Sequence, residues 1–73
     1  MTHYFPHAEA KSKLGKTVVT KIPFYNLPKG SIGKVVDIYK MQWPGFGVVV
    51  DWGDFSDGFS KDDYEEFLEE VSD

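Results

Sequence analysis

Hydrophobic and polar positions alternate through the middle of the chain and take up a helical period only near its end. Residues 16–22 are rich in Thr and Val, with Val18, Thr20 and Ile22 on one side of the alternation and Thr17, Val19 and Lys21 on the other. That pattern predicts a first strand at a sheet surface, stopped by Pro23. Residues 24–33 carry Pro28, Gly30 and Gly33 and predict a loop with a tight turn before the chain re-enters the sheet. Residues 34–40 (KVVDIYK) form the second strand, but Val35, Val36, Ile38 and Tyr39 do not alternate cleanly, which predicts a bulge or strong curvature. A Trp43-Pro44-Gly45 turn leads to residues 46–52, where Phe46, Val48, Val50 and Trp52 share one face. Gly53 and the Asp57-Gly58 pair then predict a hairpin into a short strand around Phe59.

From Ser60 the period changes. Tyr64, Phe67, Leu68 and Val71 stand at i, i+3, i+4 and i+7, one stripe of an α-helix. Ser60 followed by Asp63 resembles a capping box, and Asp62, Asp63, Glu65 and Glu66 sit near the favourable end of the helix dipole. Glu69, Glu70 and Asp73 crowd the opposite end, so one helical turn followed by a strand over residues 67–71 stays open beside the favoured helix. Residues 1–15 read as a polar lead-in, broken by Pro6, with a short helical turn over residues 8–14. Its order the sequence leaves open.

At 73 residues with 16% aromatics there is room for one domain and one small core, placed over residues 16–73. The expected class is mainly β, four to five antiparallel strands bent into a small barrel with a C-terminal helix or helical turn. Cysteine is absent, which excludes disulfides, thiolate zinc sites and iron–sulfur clusters. No apolar run approaches the roughly 20 residues of a membrane helix, and residues 1–10 lack the pattern of a secretion signal. A soluble, cytoplasmic protein is the expectation.

Charge is divided along the chain. Residues 1–40 hold seven Lys against Glu9 and Asp37, a balance of +5; residues 41–73 hold Lys61 against ten acids, a balance of −9, giving −4 in total. Such a bipolar chain presents a charged face for docking, or simply a solvated acidic helix. All cations are Lys, which disfavours guanidinium-type reading of phosphates and guanine edges.

Catalytic chemistry finds no support in the sequence: His3 and His7 are the only imidazoles, and both fall in the lead-in. Their i, i+4 spacing suits a metal on a helix, but Pro6 lies between them. Asp51, Asp54, Asp57, Asp62 and Asp63 cluster with glycines, yet the EF-hand spacing fails, because Gly53 and Phe55 would stand where carboxylates are required. No metal and no cofactor is therefore assigned, and the acids read as turn and cap residues.

The run Leu27-Pro28-Lys29-Gly30-Ser31-Ile32-Gly33-Lys34-Val35-Val36, with Phe46-Gly47-Val48-Val49-Val50-Asp51-Trp52 and residues 59–64, resembles the SH3-like barrel pattern over about residues 15–71. Within that superfold the layout is similar to the small accessory barrel of photosystem I and the variable chain of ferredoxin-thioredoxin reductase, and equally to KOW and Tudor-type modules. The resemblance implies a non-enzymatic interaction or accessory module. Twelve aromatics cannot all be central in so small a domain; Phe46, Trp52 and Phe59 have the phase of core residues, while Tyr25, Trp43 and Phe55 fall on loops and are the candidate partner-binding residues. Their partner would be a protein or a second copy. The alternative is a nucleic-acid-binding barrel using Lys16, Lys21, Lys29, Lys34 and Lys40, recognisable by steep salt dependence.

Overall fold

The computed structural model describes residues 4–41 and 45–71. In chain order these form α1 (His7–Ser12), β1 (Thr17–Thr20), β2 (Ile32–Lys40), β3 (Phe46–Asp51), β4 (Ser56–Phe59), α2 (Lys61–Phe67) and β5 (Leu68–Val71). The five strands make one antiparallel sheet in the order β4-β3-β2-β1-β5, so β2, β3 and β4 meander while the last strand returns to the first.

The irregular middle of β2 is a bulge. Val35 pairs with Val50 and Asp37 with Val49, leaving Val36 as the extra residue. Gly33 and Val35 face the core before it and Ile38 after it, so the apolar residues cannot follow a single alternation. Two glycines on β3 and β4 are tied to one aromatic of β2: a Cβ on Gly47 or Gly58 would meet the Tyr39 ring at 2.7 or 2.9 Å. Gly33 is likewise covered, since a Cβ there would lie 2.6 Å from the Trp52 ring.

Three expectations are corrected. Helix α2 stops at Phe67 and does not run to Val71; Leu68 is already extended at φ −118°, ψ 149°. Glu69 and Glu70 would burden the negative end of a longer helix, whereas as strand residues they pair with β1 in the register Val18–Glu70 and Val19–Glu69. Lys21 completes the stop: its backbone N–H donates to the Phe67 carbonyl at 2.7 Å and its Nζ to the Glu65 carbonyl at 2.6 Å, satisfying carbonyls that the helix end leaves open. Second, Asp57 and Gly58 lie inside β4, opposite Val50 and Val49. The hairpin turn is instead residues 52–55, where Gly53 takes φ +103° and the Trp52 N–H donates to the Phe55 carbonyl at 2.8 Å. Third, Ile22 is outside β1 and exposed, because the chain turns away after Thr20. The Ser60 cap is present, its hydroxyl accepting the Asp63 N–H at 3.3 Å.

The core begins earlier in the chain than residue 16. Phe5 is 1% exposed, exchanges two 2.9 Å backbone hydrogen bonds with Phe46, and sets its ring edge-on to Tyr64 at 5.5 Å. Ala10 of α1 is fully buried. Phe24, on a loop, packs against Phe59 and Phe67 at 4.9 and 4.5 Å. Two ion pairs hold α1 and the turn after it against the end of the chain: Lys61 reaches Glu9 at 3.2 Å, and Lys13 reaches Glu70 Oε2 at 2.8 Å. The Tyr64 hydroxyl donates to that same oxygen at 2.8 Å, and Lys13 lies 5.3 Å from the Tyr64 ring centre.

This clasp sets two pH limits. The hydrogen bonds from Lys13 and Tyr64 hold the Glu70 carboxyl below its ordinary range. Its contribution is therefore complete above the unfolded glutamate pKa of about 4.3 and is lost as pH falls through the lower folded value. Burial, then the Glu70 hydrogen bond, pushes the Tyr64 phenol upward, so the native state keeps a proton that the unfolded chain releases above about pH 10, and stability declines there. In melting curves against pH, Glu70→Gln should flatten the acid limb and cost about 0.2–1 kcal/mol at neutrality, as expected of a part-exposed pair. Tyr64→Phe should flatten the alkaline limb; unchanged limbs in both variants would refute the clasp. Phe5→Ala should cost about 3–5 kcal/mol, comparable with the whole net stability of so small a domain, and appear as loss of the cooperative melt by circular dichroism.

Candidate docking site

The loop between β1 and β2 is built on a buried hydroxyl. Thr20, 2% exposed, donates its Oγ1 hydrogen to the Pro28 carbonyl at 2.8 Å and accepts the Ser31 N–H at 2.9 Å. Gly30, at φ +90°, returns its N–H to the Thr20 carbonyl at 3.0 Å. Within this frame Phe24 and Leu27 exchange backbone hydrogen bonds of 3.0 and 2.9 Å, closing a tight turn with Tyr25 and Asn26 at its tip. Both flanking side chains are buried, so the turn is anchored from below.

Tyr25 is the unusual residue of that turn. It is 86% exposed and takes φ +53°, the only described non-glycine residue with positive φ. For a bulky L-residue this backbone costs about 1–2 kcal/mol, and the single compensating contact between rings is edge-on to Phe24 at 4.5 Å. A large aromatic is thus held away from the core on a rigid base.

The other candidates are distributed unequally. Phe55 is exposed and ends the β3–β4 turn. Register puts its loop and the Tyr25 loop at one end of the sheet, since Ile32 lies opposite Val19 and Asp51 opposite Lys34. Trp43 lies outside the described residues.

The five lysines do not form one stripe. Lys34 and Lys40 are on the same strand but about 20 Å apart by strand rise. Lys21 is engaged by the α2 terminus, Lys29 sits in the turn before β2, and Lys34 stands across from Asp51. His7 opens α1 with its ring edge-on to Phe46 at 4.9 Å, while His3 lies outside the described residues. Among the described residues no three metal-ligating side chains converge.

Sequence reasoning missed Tyr39. Its ring lies over Gly47 and Gly58 on the sheet face away from Val48, and burial together with the Asp63 and Asp57 carboxylates raises its phenol pKa. The missed signal was the pair of glycines in neighbouring strands, which leaves space that an aromatic fills. Trp52, half-buried against the core, has its indole N–H buried with no acceptor among the described residues. Compared with known proteins, the chain matches no family model, no curated protein and no solved structure.

If Tyr25 is not there for stability, replacing it should hardly matter to the fold. Tyr25→Gly relieves the positive φ but gives up the Phe24 contact, terms of about 1 kcal/mol each and opposite in sign. Chemical denaturation should give a stability within about 1 kcal/mol of the parent. A loss beyond about 2 kcal/mol would mark Tyr25 as a structural residue.

Proposed function

We propose that the protein is a small SH3-like barrel acting as a non-enzymatic docking module, and that it engages a protein partner through Tyr25, with Phe55 at the same end of the sheet as the second contact. The observation that carries this reading is Tyr25 itself: a strained turn tip presents a nearly fully exposed aromatic on a buried base. Strain retained away from the core is the expected mark of a residue kept for binding, and tyrosine supplies large contact area with little rotamer entropy to lose. The barrel assignment draws support from the meander β2-β3-β4, the return of β5 to β1, and the helix between β4 and β5. Protein docking is favoured over nucleic-acid binding because the lysines are dispersed and one of them caps a helix. The acids of α2 steer the approach of a basic partner surface.

Photo-crosslinking tests this directly. A benzophenone amino acid placed at position 25, and separately at 55, should yield a discrete crosslinked protein band in the cells that make this protein. Position 29, in the neighbouring turn, serves as the comparison. No adduct from either 25 or 55, or equal adducts from all three positions, would overturn the reading.

A further inference from the structure

Two stretches of this sheet have a strand on one side only. β4 is the last strand of the order, and β2 outruns its neighbour β1, whose side of the ladder ends where Val35 donates to the Lys16 carbonyl at 2.9 Å and accepts the Gly15 N–H at 2.8 Å. Among the described residues, 37–40 pair with β3 alone. The alternation of an antiparallel ladder then tells which backbone groups face outward. The Met41 N–H donates to the Gly45 carbonyl at 3.0 Å, so Tyr39–Gly47 and Asp37–Val49 are the bonded pairs, and Ile38 between them turns its N–H away from β3. In the same way the bond from the Trp52 N–H to the Phe55 carbonyl makes Val50–Asp57 and Val48–Phe59 the bonded pairs of β3 and β4. Gly58 therefore turns its N–H out from the edge of the sheet.

Both outward donors end on the carboxylate one residue earlier. Asp37 Oδ1 accepts the Ile38 N–H at 2.8 Å, and Asp57 Oδ1 accepts the Gly58 N–H at 2.9 Å. Phe46, which also turns its groups away from β2, is met instead by the chain itself, in the two 2.9 Å bonds with Phe5. An aspartate thus stands at edge positions that the chain leaves open. Each bond withdraws a donor from any arriving strand and holds a charge where that strand would lie. Pairing there would break the bond and take the carboxylate out of water, and charge on an edge strand is a known obstacle to edge-to-edge association.

We propose that Asp37 and Asp57 keep the open edges of β2 and β4 from pairing with the same edges of a second copy of this chain. The inference is independent of the Tyr25 reading, because neither aspartate belongs to that turn.

Sedimentation velocity on the full chain, from about 5 to 500 μM, tests it. Asp37→Ala combined with Asp57→Ala should associate at concentrations about tenfold or more below any at which the parent does, as the loss of charged hydrogen bonds at both edges implies. Asp54→Ala combined with Glu66→Ala removes the same charge from a turn and a helix and should behave as the parent. Asp37→Glu combined with Asp57→Glu keeps a charge on each edge and should also behave as the parent. In the associated alanine variant, the Ile38 and Gly58 amides should exchange hydrogen more slowly than in its dilute form. An alanine variant no more associated than the parent, equal association in the turn-and-helix control or in the glutamate variant, amides at 38 and 58 that gain no protection, or loss of the native circular dichroism on alanine substitution would each overturn the proposal.

Discussion

The pairing of β1 with β5 is the contact on which the rest of the structure depends. Four residues near the start of the chain meet four near its end, Thr17 against Val71 through Thr20 against Leu68, and everything between them must fold back for the pairing to form. It brings the half of the chain with balance +5 onto the half with balance −9. The attraction takes specific form around this seam, in the Lys13–Glu70 ion pair and the Lys21 side chain on the Glu65 carbonyl. Without β5 the Tyr64 carbonyl loses the Leu68 N–H and the Tyr64 hydroxyl loses the carboxylate that receives it.

Glycine and aromatic residues share the work of shaping the sheet. A glycine inside a strand weakens it, having more backbone entropy to lose and no side chain to pack. Here the missing side chains are replaced by neighbours: Trp52 covers Gly33, and Tyr39 covers Gly47 and Gly58. Adding a single methyl group at any of these places collides with a ring, so the aromatics and glycines constrain one another as sets. The Val36 bulge supplies the remaining curvature.

Much of this was legible in the sequence, and what was not has a physical reason. Phe59 could be assigned to the core from its strand phase and is fully buried, whereas Phe46 and Trp52, given the same phase, are only partly buried against it; the Ser60 cap was readable from its spacing to Asp63. The end of α2 could not be fixed, because Tyr64, Phe67, Leu68 and Val71 satisfy a helical stripe even though only the first two are helical; the decisive factor is the distant partner strand. Phe5 and Phe24 belong to no periodic segment, so nothing local announced their burial. Asp57-Gly58 looked like a turn, but tertiary pairing claimed it for β4 while Gly53 made the turn. At the docking site the loop position of Tyr25 was readable, whereas its strained φ follows from two flanking residues, Phe24 and Leu27, each buried by contacts made elsewhere.

The order of the strands also has a meaning for synthesis. β1 is made early, but its partner β5 follows some 48 residues later. At ordinary elongation rates of 5–20 residues per second this edge waits roughly 2–10 s for its neighbour. During that interval Thr-Val-Val-Thr is an apolar strand with an open hydrogen-bonding side, the kind of segment that seeds aggregation. Lys16 and Lys21 bracket it on both sides, where flanking charges act as gatekeepers against association of nascent chains. The same lysine that later caps α2 thus first guards the strand that must wait for it.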